Sequence, residues 1–472
     1  MRVLFAASEA FPYASTGGLA DVAGSLPAAL SRAGHQVGLA MPFYGCVTPP
    51  GDMTWMGDGF TTSAGEGFGV AGTVHPIGGF PVYLIRRDEH FSRKGVYGPD
   101  PASAYPDNAH RYSFFCRAVI TLSESLDLRP ELIHCHDWQT GLVPVYLRNS
   151  IGPAVVFTIH NLHYQGNFPR ADYRATRLPP ALFNMRGLEF YGDFSFMKGG
   201  IVYSDRITTV SETYAREIRT PEYGEGMEGV LADRGNSLSG VVNGIDTVNW
   251  DPSSDPVLEA SFSAGSISPR RKCVKKLRGM TGLHDGLFIA GTVSRLTRQK
   301  GIDLLLPVMD RLAGEGIGFV VLGTGEDAYE KRLLRLQEKH PGRIAVLLRY
   351  DDAMARRIFA GSDVILMPSR FEPCGLAQMI GMRYGAVPLV RATGGLADTV
   401  VDHSRGGFGF VFHRTDPGEL LQTIRRAAGL YNNRNRWAWL VKKCMSRDNS
   451  WSSRVSGYEQ VYEKAVRDRG RK

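Results

Sequence analysis

The sequence predicts an α/β protein built as two doubly wound, parallel-sheet lobes. Three observations predict it. Short apolar runs alternate with longer stretches of helical periodicity along the whole chain. At 472 residues the chain is long for one hydrophobic core and comfortable for two. The hexapeptide TGGLAD occurs twice, at Thr16–Asp21 and Thr393–Asp398, each time after an apolar run and before residues that can open a helix. A Thr and two glycines between a strand and a helix make a loop that lets a ligand approach the backbone closely. A chance turn accounts for one copy; two copies in the same context point to a pair of related lobes.

In the first lobe the strand candidates are RVLFAAS, QVGLAMP, PVYLIRR, LIHCHD, AVVFTIHN and RITTVS, with SGVVNGID closing the set. In the second they are LFIAGTVS, GFVVLGTG, RIAVLLRY, DVILMPS and AVPLVRA, with GFGFVF following. DVAGSLPAALSRAG and GLAQMIGMRYG carry helical spacing between them. The change of lobe falls near Gly244–Pro252, which assigns residues 1–244 to the first lobe and 245–450 to the second. The tail, 451–472, contains YEQVYEKAV, an amphipathic helix that periodicity alone assigns to neither lobe. In doubly wound sheets ligands bind outside the carboxyl ends of strands, where both TGGLAD loops fall.

Hydrophobic residues make up 43% of the chain and charged residues 22%, the balance of a soluble globular protein. No stretch approaches the roughly 20 apolar residues of a spanning helix, so no membrane partner is expected. The opening MRVLFAASEAFPY has an apolar core ending at Ser8 and Glu9, short of the roughly 7–15 residues of a signal peptide. It reads as a buried first strand, with the cytoplasm as the expected location. Cys46, Cys116, Cys135, Cys273, Cys374 and Cys444 include no CxxC pair and fit reduced thiols. The net charge of +8 is unevenly spread. Residues 1–240 hold 19 Lys and Arg against 23 Asp and Glu; residues 241–472 hold 36 against 24. An anionic ligand is therefore expected in the second half. The basic run SPRRKCVKKLRG lacks interleaved aromatics and reads as a solvated helix face, so nucleic acid is not an expected partner.

Four loops carry candidate chemistry. GTGEDA at Gly323–Ala328 matches a dinucleotide fingerprint, but it lies past the opening turn of its lobe, which makes hydride transfer a weak reading. That opening turn is SRLTRQKG, where Arg295 and Lys300 give two cations suited to a diphosphate; an ordinary basic surface loop is the plainer alternative. PSRFEPCGLAQM puts Glu372 beside Cys374 and Gly375 after the strand DVILM. A carboxylate there can bond sugar hydroxyls or offset positive charge at an anomeric carbon, and the Gly375 and Leu376 amides can meet phosphate oxygens. A helix-start carboxylate is about as common. HCHDWQTGL and FTIHNLHYQG supply His134, His136, Asp137, His160, Asn161 and His163. No HExxH or Cys/His framework accompanies them, so no metal is expected and His134 and His136 read as structural. Asp137 and His160 suit a polyhydroxylated ligand. Trp138 reads first as a core residue and second as a cover for a sugar face.

Taken together these motifs resemble one family, the bacterial glycogen synthases and plant starch synthases. The resemblance runs from TGGLADVAGSLP through HCHDWQTGL, TIHNLHYQG, VSETYAREI, VVNGID, SRLTRQKGIDLL and PSRFEPCGL to PLVRATGGLADTV. It implies the GT-B fold, two Rossmann-like domains facing a deep cleft, with the C-terminal helix returning to the N-terminal domain. It implies transfer of glucose from ADP-glucose to the non-reducing end of an α-1,4-glucan with retained configuration, without metal or other cofactor. Arg295 and Lys300 would hold the departing diphosphate, assisted by Gly18, Gly375 and Leu376, with Thr393, Gly394 and Gly395 lining the same site. Cys374 belongs to that donor loop, and Tyr350 would neighbour the base. His160, Asn161, Asn243 and Glu372 would position the glucose, and Asp137 would lie near the reacting sugar and the glucan hydroxyl. No covalent nucleophile is implied: attack on the same face, with the leaving phosphate accepting the proton, accounts for retention.

Two positions depart from the family pattern. Its first loop begins KTGGLAD or a close variant, whereas Ser15 stands here. Losing a charge-assisted contact costs about 1.5–3 kcal/mol. A glucan- or nucleotide-binding paralogue with weak synthesis, and a retaining transferase using UDP-glucose, therefore stand beside the leading reading. Wider GT-B families often carry a second Glu eight residues after the first, where this chain has Ile380; the synthase form of the loop makes this a subfamily trait. Oligomeric state is not legible.

Overall fold

A computed structural model describes residues 1–100 and 103–471. The chain divides into two compact units: residues 1–244 joined by the tail from Trp451, and residues 245–450.

The first unit is built on a nine-stranded sheet. In chain order its first seven strands are β1 (Arg2–Ala6), β2 (Gln36–Pro42), β3 (Thr54–Thr61), β4 (Gly67–Val74), β5 (Pro81–Arg86), β6 (Leu132–His136) and β7 (Ala154–Ile159). A small separate sheet follows, of β8 (Asn167–Phe168), β9 (Glu189–Phe190) and β10 (Asp193–Ser195), and then β11 (Arg206–Thr209) and β12 (Leu238–Gly240) complete the large one. The large sheet runs β12-β11-β7-β6-β1-β2-β5-β4-β3. It is parallel from β12 to β5, and β3 and β4 add an antiparallel edge. Val3 to Ala7 are fully buried, as are five of the six residues of β7, because helices cover both faces of the parallel part.

The second unit is a six-stranded parallel sheet of β13 (Phe288–Val293), β14 (Ile317–Leu322), β15 (Ile344–Leu347), β16 (Val364–Met367), β17 (Val387–Arg391) and β18 (Phe410–Phe412), ordered β15-β14-β13-β16-β17-β18. In each unit the strand order reverses once beside the first strand, between β1 and β6 and between β13 and β16. Loops leaving such a pair diverge to opposite sides of the sheet and open a crevice at its carboxyl edge. That edge is where each unit collects its polar side chains.

The tail forms the helix Val455–Arg469, which packs on the first unit. Tyr462 and His134 hydrogen-bond at 2.8 Å, His35 reaches Glu459 at 3.0 Å, and Arg469 donates to the Leu147 and Ser150 carbonyls. The basic run becomes the helix Arg270–Thr281. Arg271, Lys272, Lys275 and Lys276 form the solvated face expected, but Arg270 is buried with Cys273 and Leu277 and donates to the backbone carbonyls of Tyr384 and Ser362, so that residue belongs to the core.

Candidate active site

In the second unit, the loops leaving β13 and β16 meet at their polar ends. Lys300 Nζ donates to both Glu372 oxygens, at 2.9 and 2.6 Å, and Ser369 Oγ donates to Oε2 at 2.9 Å. Glu372 is 5% exposed, so its charge is held by these contacts rather than by water. The two loops are also joined through backbone: Arg370 N–H donates to the Gln299 carbonyl at 2.8 Å. Arg295 is exposed and reaches Gln299 Oε1 at 3.4 Å.

The second TGGLAD copy packs against the same loop. The Gly395 amide lies 3.1 Å from the carbonyls of both Glu372 and Pro373. Gly394 has φ +43°, and a Cβ there would lie 1.9 Å from the Glu372 carbonyl oxygen, so only glycine permits the approach. Gln378 Nε2 ties the Cys374 and Gly375 carbonyls to Thr399 Oγ1, at 2.9–3.1 Å. Thr393, Gly394 and Cys374 are buried, and Leu376 is half-buried. Tyr350, on the loop after β15, is 91% exposed.

The first copy is arranged differently although its six residues are the same. Ser15, Thr16, Gly17 and Gly18 are all exposed, and a Cβ on Gly17 would meet nothing within 4 Å. The loop is anchored instead by the Thr16 amide, which donates to Glu9 Oε2 at 2.5 Å. Burial pushes the Glu9 carboxyl up to about 7 against the pull of Thr16.

Asp137 follows β6 with φ +54°, a left-handed backbone that is uncommon outside glycine and is characteristic of functional turns. Its Oδ1 accepts the His160 amide at 2.7 Å. Burial raises the Asp137 carboxyl to about 7; the His160 and Asn161 amides pull it down, and Glu9 pushes it up. His160 Nε2 and His136 Nδ1 share a proton at 2.8 Å, and His134 bonds Thr158 at 2.6 Å. Burial drives His160 down to about 3 and holds His134 and His136 well below their ordinary range, so the three rings are neutral. Among the described residues, no three His, Cys, Asp or Glu are grouped to hold a metal ion. Asn161 Oδ1 accepts the His163 amide at 3.1 Å. Asn243 is buried, and its Oδ1 has no hydrogen-bond partner among the described residues. Trp138 packs against Tyr112, Phe168 and Phe196, as a core residue does, yet it also lines a pocket of about 450 Å³ with Tyr164, Gln165, Asn167 and Glu225.

The fold thus brings together Lys300, Glu372, Cys374, Gly394 and Gly395 in one unit, and Asp137, His160 and Asn161 in the other. The dinucleotide-like glycines serve packing. A Cβ on Gly323 would lie 1.9 Å from the Ser294 carbonyl, and Gly325 forms a bridge with Leu296, so this turn buttresses the Arg295 loop. Sequence reasoning missed Glu9, Ser369 and Gln378. Only Glu9 had a visible signal, a charge directly after a buried strand at a switch point.

Two lobes of this kind, with an ion pair and a glycine loop at the switch point of the second sheet, define a glycosyltransferase of the GT-B class. The family model for the starch synthase catalytic domain matches residues 2–233, and that for glycosyl transferases group 1 matches residues 274–440. The chain belongs to the glycogen and starch synthase family. It is 45% identical to glycogen synthase 2 of Geobacter sulfurreducens over 99% of both chains, and 42% identical to glycogen synthase 1 of Methylococcus capsulatus over 99% of this chain and 97% of that one. The catalytic domain of starch synthase IV from Arabidopsis thaliana, bound to ADP and acarbose, superposes with a TM-score of 0.90 at 32% identity, covering 98% of this chain and 99% of that one. A sucrose-phosphate synthase from Thermosynechococcus elongatus shares the fold, with a TM-score of 0.63 at 16% identity over 98% of both chains.

Proposed function

We propose that this enzyme lengthens an α-1,4-glucan in the cytoplasm, moving glucose from ADP-glucose to the non-reducing end with retention at the anomeric carbon. The observation that carries this reading is the part-buried Lys300–Glu372 pair at the second switch point, in a chain of this family. ADP in the starch synthase IV structure supports an adenine nucleotide as the donor carrier.

The bond from C1 of glucose to the β-phosphate oxygen breaks as the glucan 4-hydroxyl attacks from the same face, and its proton passes to that departing oxygen. Charge builds on the diphosphate, and stabilising it is the main catalytic task. Lys300 and Arg295 neutralise it, with the Gly18, Gly375 and Leu376 amides and the Thr393–Gly395 turn alongside. Cys374 shapes the donor loop, and Tyr350 borders the base. As Lys300 turns to phosphate, Glu372 is freed to hold sugar hydroxyls and the positive anomeric centre. His160, kept neutral by burial, can donate to a sugar oxygen without adding charge. Asn161 helps orient the glucose, and the unmatched Asn243 Oδ1 gains a partner in a sugar hydroxyl. Asp137 orients the incoming glucan hydroxyl, and the pocket beside Trp138 takes the following glucose units.

The test is incubation of purified protein with labelled ADP-glucose or UDP-glucose and glycogen, counting label in the polymer. Label from ADP-glucose supports the proposal. Label from UDP-glucose alone replaces the donor. Folded protein that incorporates neither, yet binds ADP or glycogen, makes it a binding paralogue weakened by Ser15.

A further inference from the structure

Arg391 closes β17, two residues before the second TGGLAD turn. It is 5% exposed, and no carboxylate forms an ion pair with it among the described residues. Its guanidinium is spent on backbone. Nε donates to the Ser369 carbonyl at 2.7 Å, Nη2 donates to the Arg370 carbonyl, and Nη1 reaches the His413 carbonyl at 3.3 Å. Ser369 is the residue whose hydroxyl bonds Glu372 Oε2.

Like Arg270, Arg391 is a buried permanent cation aimed at backbone carbonyls rather than at a carboxylate. Here two successive carbonyls leave β16 and turn sharply, so neither has a strand partner, and one planar fork spans both. On its other side the same segment is held by Gln299, which accepts the Arg370 amide, and by the Arg370–Asp303 ion pair at 2.5 Å. Glu372 is thereby fixed through its own backbone by Gly395, through its carboxylate by Lys300 and Ser369, and through Ser369 by Arg391.

We infer that Arg391 is a positioning residue for glucosyl transfer: by clasping the Ser369 and Arg370 carbonyls it sets the Ser369 hydroxyl, and through it the orientation of the Glu372 carboxylate. The inference rests on the transfer reaction proposed above. It predicts a fault in kcat rather than in donor binding, because the residues proposed to hold the diphosphate are not those the fork touches. It also predicts that geometry, not charge, is what matters. A lysine keeps the charge and loses the fork.

The experiment compares Arg391→Lys, Ser369→Ala and the double variant with wild type. For the folded enzyme, Arg391→Lys should lower kcat about 30-fold and Ser369→Ala about 10-fold, with ADP affinity within about threefold of wild type. The double variant should be little worse than Arg391→Lys alone, because both act through one carboxylate. Multiplicative losses, wild-type kcat in Ser369→Ala, or wild-type kcat in Arg391→Lys each overturn the inference, the last showing that only the charge is needed. If Arg391→Lys does not fold, Ser369→Ala decides alone. If wild type itself makes no polymer, the transfer reading fails separately, and hydrogen exchange then decides. Arg391→Lys should speed exchange of the amides of residues 370–372 at least about 10-fold while β13 and β16 stay protected; unchanged exchange there overturns the clasp.

Discussion

The ammonium of Lys300 sits across both oxygens of Glu372, at 2.9 and 2.6 Å, in a site where the two side chains are only 18% and 7% exposed. Each charge is the other's main compensation, and removing one strands its partner. Lys300→Ala should therefore lower the stability of the second lobe by roughly 3 kcal/mol, the usual cost of breaking a buried pair from one side. Lys300→Ala/Glu372→Gln should recover more than half of that loss. Both single variants should lose at least about 100-fold in kcat. Calorimetry on the three proteins and a glucosyl-transfer assay check this; a double variant less stable than Lys300→Ala contradicts it.

Asp137 ties pH to stability in the opposite sense from a salt-bridged carboxylate. Its folded value of about 7 lies above the ordinary 3.8, so the native state keeps a proton that the unfolded chain releases. Stability should fall as pH rises from about 4 to about 7 and level off above that. Asp137→Asn keeps an acceptor for the His160 amide and removes the ionisation. It should be more stable than wild type by roughly 2–4 kcal/mol at pH 8 and unchanged near pH 4, while glucosyl transfer is lost. Glu9, also raised to about 7, adds to the wild-type slope. Denaturant titrations of both proteins at the two pH values test it; equal differences at both would show that Asp137 is ionised throughout.

Much of the sheet was legible because buried parallel strands are continuous apolar runs, as in AVVFTIHN and DVILMPS. The β3–β4 hairpin was not: TWMGDGFT shows most of its residues to solvent and breaks its pattern with glycine. The second sheet shows the same limit at the site. Lys300 and Glu372 each stand in a recognisable loop, but their contact depends on β13 lying beside β16, a non-consecutive pairing that no local pattern encodes. Backbone-directed contacts such as those of Ser369 and Gln378 leave even less trace, since any polar residue at those positions looks alike in sequence.

Ser15 is exposed and one residue from the Thr16 amide that anchors the first loop on Glu9. A lysine there would supply the charge that the family pattern implies at this position, without disturbing that anchor. Because the position is solvated, the gain is smaller than for a buried contact. Ser15→Lys should lower KM for ADP-glucose about 10-fold, with kcat unchanged or higher and the melting temperature within a degree or so. Steady-state kinetics over a donor series settles it. An unchanged KM would mean that the diphosphate is already neutralised without this position.

The two TGGLAD turns make the sharpest contrast, because identical glycines face opposite surroundings. At Gly394 a Cβ would press on the Glu372 carbonyl at 1.9 Å and would have to hold φ at +43°; at Gly17 it would enter open space from an extended backbone. Gly394→Ala should therefore displace the Glu372 loop, costing about 3 kcal/mol or more in stability and most of the activity. Gly17→Ala should leave the melting temperature unchanged. Any effect it has must come from crowding what approaches that loop, so it should raise KM for the donor about 10-fold and leave the unliganded fold alone. Calorimetry and kinetics on the pair separate the roles. A Gly17→Ala protein that melts early but binds donor normally would give the first loop the same packing duty as the second, and would contradict the donor-binding role proposed for it.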